Sequence, residues 1–332
     1  MELNKLTIPD MTSLVNIMWL DAMESEKREA YNSGIWKVRP IAENSGDSRR
    51  MSEIDLEQYA ERKGEADQAA RARYQQGYTK DLLAYRVGKD IGITYEERTQ
   101  NKYPEVIDRL SNLASLAVRT IERDLSLRLA FFTATSYTEP NGTVVDTTGG
   151  DSLAWASTAH TLRASTSTYR NILANNPVIS RGSLEAMERM NIENSLNQFG
   201  EKIPGMVWDV IWTTDNPQDC NVVSEYLDST GSPDFTNSAV KNVYQYKYRH
   251  VRLPRVALTT AGLPDTTKAR RWGMCSTQWT TAFIGIWEEP HVTPFVDTND
   301  GTDTWRTGTR AGYGICHVTG RGNSFSLGDG TA

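Results

Sequence analysis

The sequence predicts an α+β fold organised around one long helix, and three observations predict it. Residues 105–132 carry an apolar stripe at helical spacing with no glycine or proline. Apolar runs of strand length lie on both sides of that stripe, at 35–38 and 78–87 before it and at 206–212 and 279–287 after it. Only 38% of the 332 residues are hydrophobic, and the mean hydropathy is −0.53. That is little for a compact molecule of this length and suits extended arms that other chains would bury.

In chain order, residues 12–31 read as an amphipathic helix. Leu14, Ile17, Met18 and Ala22 recur at helical spacing, Asp10 or Thr12 can cap the start, and Asn32-Ser33-Gly34 ends it. Ile35-Trp36-Lys37-Val38 reads as a strand. A polar stretch follows at 43–50, and Ile54-Asp55-Leu56 with Tyr59 reads as a strand or short helix. Residues 60–73, AERKGEADQAARAR, are almost wholly polar. Residues 78–87 then return as a strand, with Leu82, Leu83, Tyr85 and Val87 as its apolar members. Two strands around a tip without a core make a long projecting hairpin, which is marginal in isolation. By composition alone a charged surface loop is the commoner case. If the tip is ordered, another chain must supply the surface. Glu61, Arg62, Lys63, Glu65, Arg71 and Arg73 are then expected to make charge pairs between chains.

Residues 101–132 hold the strongest local signal. Val106, Leu110, Leu113, Ala117, Ile121 and Leu125 step by three or four, and Ile107, Ala114, Val118 and Leu129 widen the stripe. Arg109, Arg119, Glu122, Arg123 and Asp124 populate the other face. Pro104 suits a first turn. At 1.5 Å per residue, about 30 residues make a rod of about 45 Å. The strict seven-residue repeat of a coiled coil is missing, so Leu110, Leu113, Ala117 and Ile121 are expected to face a sheet of the same chain.

Residues 133–150 are rich in Thr and Gly, with a turn at Pro140-Asn141-Gly142. A helix is expected over 183–199 with Gly200 as its stop, a central strand over 206–212, and a helix from Asn216-Pro217-Gln218 to Leu227. Residues 229–235 read as a loop. The alternation of Tyr244, Tyr246, Tyr248 and His250 predicts a half-buried strand over 244–258. Residues 279–287 read as a buried strand. Short strands within 305–325 are expected to return to the sheet beneath the long helix.

Composition narrows the function classes. A net charge of −6 and a pI near 5.4 do not suit a dedicated nucleic-acid binder, which shows a basic stripe. Cys220, Cys275 and Cys316 are sparse and unpaired in sequence, which argues against a disulfide framework and fits a reducing cytoplasm. Met1-Glu2-Leu3-Asn4-Lys5 lacks the basic-then-apolar order of a secretory signal. No apolar run approaches the ~20 residues of a membrane span. His160, His250, His291 and His317 stand at no ligand spacing. Asp151, Ser152 and His160 would form a hydrolytic set only if geometry joined them, and no G-x-S-x-G elbow is present. Residues 297–303 alternate oxygen ligands as a calcium loop does, but the glycine is one place early and no Glu closes it, so a polar turn is expected. Lys268-Ala269-Arg270-Arg271 beside Trp272 reads as a small solvated patch or a salt bridge between chains. No catalytic residue, cofactor or metal is expected.

Residues 147–190 supply a resemblance. Leu153-Ala154-Trp155-Ala156-Ser157-Thr158-Ala159-His160, then Asn171-Ile172-Leu173, then Val178-Ile179-Ser180 and Ser183-Leu184-Glu185, resemble the segment after the long helix in major capsid proteins of tailed phages with the Hong Kong 97-type fold. The order of helix, strand, proline-led helix and Gly231/Pro233 loop after it is similar to that family's A-domain, although Trp208 and Trp212 depart from its plainer aliphatic strand. The resemblance implies an N-terminal arm at 1–34 and an extended E-loop hairpin at 35–98, lying across the adjacent subunit. It implies a spine helix with P-domain at 99–165, an A-domain at 166–290, and C-terminal strands at 291–332 returning to the P-domain. It implies a major head protein without enzyme activity, found in the virion and assembled in the host cytoplasm. Its partners would be copies of itself, as hexamers and pentamers on an icosahedral lattice, with a scaffold, a portal and a maturation protease. DNA would be enclosed without sequence-specific binding, and no membrane is involved. About 34 residues before the first strand are too few for a long N-terminal scaffold segment, so a separate scaffolding protein is expected. Two alternatives stand beside this reading: an encapsulin-like nanocompartment shell with protein cargo, and a soluble enzyme with a concave site of perturbed titrating groups.

Overall fold

A computed structural model of the chain describes residues 28–42, 46–65, 68–99, 103–231, 241–298 and 304–331, with positions 13, 16, 17 and 26. The helix expected over 12–31 lies largely outside the described residues. So do residues 299–303 of the expected polar turn and part of the 229–235 loop.

Strand β1 (Lys37–Pro40) is followed by a hairpin of β2 (Ser48–Leu56) and β3 (Tyr74–Leu83), and then by β4 (Tyr85–Ile93). Helix α1 (Tyr103–Ala130) is 28 residues long, which at 1.5 Å per residue is about 42 Å. Its last turn runs into Phe131 and Phe132, and the carbonyls there are taken up by the chain that follows. The Phe132 carbonyl accepts from the Ala156 N–H, and the Ala134 carbonyl accepts from the Thr147 hydroxyl. Two small hairpins come next, β5 (Ser136–Thr138) with β6 (Val144–Asp146), and β7 (His160–Thr161) with β8 (Thr168–Tyr169). The main elements after these are α2 (Arg181–Glu193), β9 (Val210–Thr213), α3 (Pro217–Asp228), β10 (Arg249–Arg252), β11 (Trp272–Cys275), β12 (Ala282–Val292), β13 (Val296–Thr298), β14 (Thr304–His317) and β15 (Asn323–Ser326).

These form two principal sheets. In the first, β14 pairs with β12 and then β13 along one edge and with β4 along the other, and β1 runs parallel to β12. The second has the order β10-β9-β11-β15. Helix α1 packs on the first sheet. Leu110 clusters with Ile93 and Phe295, while Ala117 and Ile121 join Ile284, Ile286, Tyr313 and Ile315. Leu110, Leu113, Ala117 and Ile121 are all buried. Helices α2 and α3 cover the second sheet through Leu184, Met187, Val223 and Leu227 against Ile211 and Met274.

Several expectations are corrected. Glu122 and Asp124, placed by spacing on the face opposite the stripe, are buried. Glu122 accepts the N–H groups of Ala30 and Tyr31 at 2.8 and 3.0 Å, and Asp124 accepts the Tyr313 hydroxyl. Burial pushes both carboxyls above their usual range. Helix α2 starts two residues earlier than expected, because Ser180 and Ser183 form a reciprocal capping box. It ends before Gly200 because Asn194 turns its side-chain amide onto the Met190 carbonyl at 2.8 Å. The strand expected over 244–258 shrinks to β10. Tyr244 and Tyr248 are four apart and both bury against α2 and α3, which needs a turn, and Tyr246 takes φ of 56° within it. Residues 282–290 belong to the first sheet rather than to the 166–290 lobe, since β12 runs unbroken to Val292. Strand β15 closes the second sheet and does not return beneath α1.

Two histidines, one buried and one half-buried, give the fold a pH dependence. The His317 ring stacks on Trp155 at 5.0 Å, and its Nε2 has no hydrogen-bond partner. Burial, and next the Arg128 charge, hold its pKa well below the ordinary value. Burial lowers His250 to about 4. Unfolded, both take up a proton near pH 6.5 while the folded chain does not. Their contribution is therefore present above about pH 6.5 and lost as pH falls. Glu122 and Asp124 act in the opposite sense within the carboxylate range, so the measure is parent against variant. Between pH 7 and pH 5, a His250→Gln/His317→Gln variant should lose less unfolding free energy than the parent. The ceiling on that difference is about 1.4 kcal/mol per pH unit for each histidine. Equal pH slopes in urea unfolding would sink this assignment.

Candidate assembly surface

The outer part of the β2–β3 hairpin is a surface that the described body of the chain leaves uncovered. Its strands pair Ser48 with Leu83 at the base and Leu56 with Tyr74 at the far end. Beyond that, the Glu57 N–H donates to the Arg73 carbonyl at 3.2 Å, and Arg73 Nε donates to Glu57 Oε1 at 2.7 Å. The Arg73 side chain, and next the Arg73 N–H on Oε2 at 3.1 Å, hold the Glu57 carboxyl below its usual range. All described residues from 58 to 74 are exposed.

Of the residues expected to pair between chains, Glu61, Arg62, Lys63, Glu65 and Arg71 stand exposed on this tip. Arg73 differs, because it is already paired with Glu57 and its guanidinium lies over the Phe199 ring at 5.9 Å. Sequence reasoning missed the apolar members of the surface. Ile54, Tyr59 and Tyr74 are 69%, 65% and 73% exposed, and Leu56 is 42% exposed. Four large apolar side chains thus stand in water on one hairpin. The signal was present as Ile54, Leu56 and Tyr59 flanking a segment with no core to bury them.

The base of the hairpin is fixed by polar contacts. Lys80 Nζ reaches Asp146 Oδ2 at 2.6 Å. The Tyr78 and Thr161 hydroxyls are 2.6 Å apart, and Arg163 donates to the Gly77 carbonyl at 3.3 Å.

The other sequence candidates resolve as structural groups. Asp151 and His160 do meet, with Oδ2 and Nδ1 2.6 Å apart and both side chains buried. The other ring nitrogen faces the Trp155 carbonyl and Asn171 Oδ1 at 3.3 and 3.1 Å, while Ser152 is exposed. The pair braces the 151–171 loop and presents no serine to its base. The basic run at 268–271 is not a solvated patch. Lys268 is buried, donates to the Leu258 carbonyl at 3.1 Å and lies over Phe131. Arg270 pairs with Asp219 at 2.7 Å. Arg271 sits over Phe132, and burial lowers it to about 10. Among the described residues no group of His, Cys, Asp and Glu is placed to hold a metal ion, and no helix is long and apolar enough to cross a membrane. A groove of about 530 Å³ runs between β4, α1 and the β5–β6 hairpin. Its one thiol, Cys316, is pushed up to about 12 by burial, so little thiolate forms at neutral pH.

No protein-family model matches the sequence, and no curated protein matches it. Among solved structures, the chain is similar to the cyanophage Pam1 capsid asymmetric unit, at 11% identity and a TM-score of 0.50. The match covers 92% of this chain and 93% of that one. A structure of Gordonia phage Cozz aligns at 11% identity over 88% of this chain and 84% of that one, with a TM-score of 0.49. The virus-like particle from Pyrococcus furiosus aligns at 8% identity over 95% and 98%, with a TM-score of 0.46. At such identity the Pam1 likeness is one of fold, and it extends over nearly the whole of both chains. The chain has a mixed helix-and-sheet fold of the phage capsid kind.

Proposed function

We propose that the chain is a major capsid protein, a shell subunit that associates with copies of itself. The observation that carries this reading is the exposed hairpin, with more apolar and charged surface than its own body covers, in a chain of phage capsid fold. In this reading the tip lies across a neighbouring copy. Glu61, Arg62, Lys63, Glu65 and Arg71 pair there, and Arg73 shares its charge between Glu57 and the neighbour. Each such exposed pair is worth about 0–1 kcal/mol. Repetition at every subunit makes weak contacts into a strong shell. Helix α1 serves as the spine, the second sheet with α2 and α3 as the A-domain, and the N-terminal residues as an arm.

The finer reading is an icosahedral shell of pentamers and hexamers around double-stranded phage DNA, enclosed without sequence-specific contact. Assembly would take place in the bacterial cytoplasm, with a scaffolding protein, a portal and a maturation protease as partners. The role is structural rather than catalytic. The test is particle size and content, by sedimentation and electron microscopy of the chain expressed with its scaffold. Pentamers, hexamers or megadalton shells are expected. A monodisperse monomer would overturn the reading, and shells filled with a host enzyme in place of DNA would replace it with a protein nanocompartment.

A further inference from the structure

We propose that Arg321 is the positioning residue of the hairpin: through a buried lock at a bulge it sets the angle at which β2 and β3 leave the body. The consequence for a shell rests on the capsid reading above; the lock itself does not. Ser52 pairs with Thr79 but Ile54 pairs with Gln76, so Glu53 faces two residues, Gly77 and Tyr78. Such a bulge bends the ribbon and re-aims what lies beyond it. Glu53 and Asp55 alternate along β2, so they share one face, and that face is turned to the body at the bend. Arg321 grips Asp55 with both terminal nitrogens, Nη1 to Oδ1 at 3.0 Å and Nη2 to Oδ2 at 2.8 Å. Its Nη2 is also 3.9 Å from Glu53 Oε2. Gln198 adds Nε2, donating to Glu53 Oε2 at 2.9 Å, and its backbone N–H, donating to Asp55 Oδ2 at 2.8 Å, and the Thr319 hydroxyl donates to Glu53 Oε1.

The side chains of Arg321, Glu53 and Asp55 keep 7%, 6% and 12% of their exposure. Two carboxylates out of water around one guanidinium tolerate little displacement, because loss of the cation leaves uncompensated buried charge. A two-pronged Arg–carboxylate contact also fixes orientation as well as distance. Gly77 completes the fit, since a Cβ there would come within 2.9 Å of the Gln198 amide nitrogen and 3.0 Å of Glu53 Cβ. Bend and lock therefore coincide at one place, with the exposed tip beyond them. A small rotation at Glu53 is amplified along the ribbon, so Arg321 governs where the tip meets a neighbouring copy.

The test uses two full-length variants. Glu53→Gln/Asp55→Leu/Arg321→Met removes the lock without leaving a lone buried charge, and Gly77→Ala displaces the Gln198 amide while keeping every charge. Hydrogen exchange is measured on unassembled chain. Amides at 50–56 and 74–79 should exchange at least about tenfold faster in both variants, with those of α1 unchanged. Unchanged hairpin exchange, or equal acceleration in α1, would overturn the lock. Where the parent forms shells, those of the triple variant should vary in diameter, and shells of parental uniformity would overturn the positioning role. A parent that forms no shell would defeat the capsid reading and leave exchange to decide the lock.

Discussion

Phe325→Ala is expected to lower the unfolding free energy by about 3–5 kcal/mol. Phe325 lies on β15 with no exposed surface. It stacks on Phe132 at 4.7 Å and meets Trp155 and Trp212 edge-on at 5.2 and 6.2 Å. Phe132 follows the end of α1, and Trp212 belongs to β9, so one ring joins the helix of the first sheet to the second sheet. Its backbone is committed as well, donating to the Asn171 carbonyl and accepting the Leu173 N–H, each at 2.9 Å. The surrounding groups are large, ring-shaped and held by two sheets, so they cannot collapse into the space left behind. The cost then includes a cavity as well as lost transfer energy. Urea unfolding followed by tryptophan fluorescence measures it. A loss below about 1 kcal/mol would mean that the two sheets do not share one continuous core.

Such a ring could not have been picked from the sequence, where Phe325 is one aromatic in a polar C-terminal stretch. What was legible is what has a local period. The stripe of α1 places Leu110, Leu113, Ala117 and Ile121 because helical spacing alone decides which side chains share a face. Helix α3 was legible through Asn216, whose side chain caps it, and Pro217. Long-range pairing was not legible. Glu122 and Asp124 look like surface residues until Ala30, Tyr31 and Tyr313 arrive from 91 or more positions away. Gln198 and Arg321 contact the hairpin across 143 and 266 positions. No pattern within a window of sequence carries that information. The tyrosine alternation at 244–248 misled because two-residue and four-residue repeats coincide over so short a stretch.

Deletion of residues 62–70 is expected to leave the subunit folded and to cut shell yield at least about tenfold. The described residues of the tip bury little of their own surface against the body. Its described residues are exposed, and the contacts at its root, the Gln58 N–H on Glu201 at 3.0 Å and the Glu57–Arg73 pair, lie outside the deleted stretch. The polar contacts at the base of the hairpin also stay, including Lys80 with Asp146. Circular dichroism and the melting temperature should therefore match the parent. The effect on assembly is larger than any single contact suggests. One exposed ion pair contributes about 0–1 kcal/mol, but in the proposed shell each subunit would both give and receive a tip, and closure would compound the loss over every copy. Apolar Tyr59 and Tyr74 remain in the shortened hairpin, so the deletion separates the charged tip from the apolar shoulder. Particles at parental yield would show that residues 62–70 are not the contact between copies. Loss of the melting transition would show instead that the tip is part of the subunit's own structure.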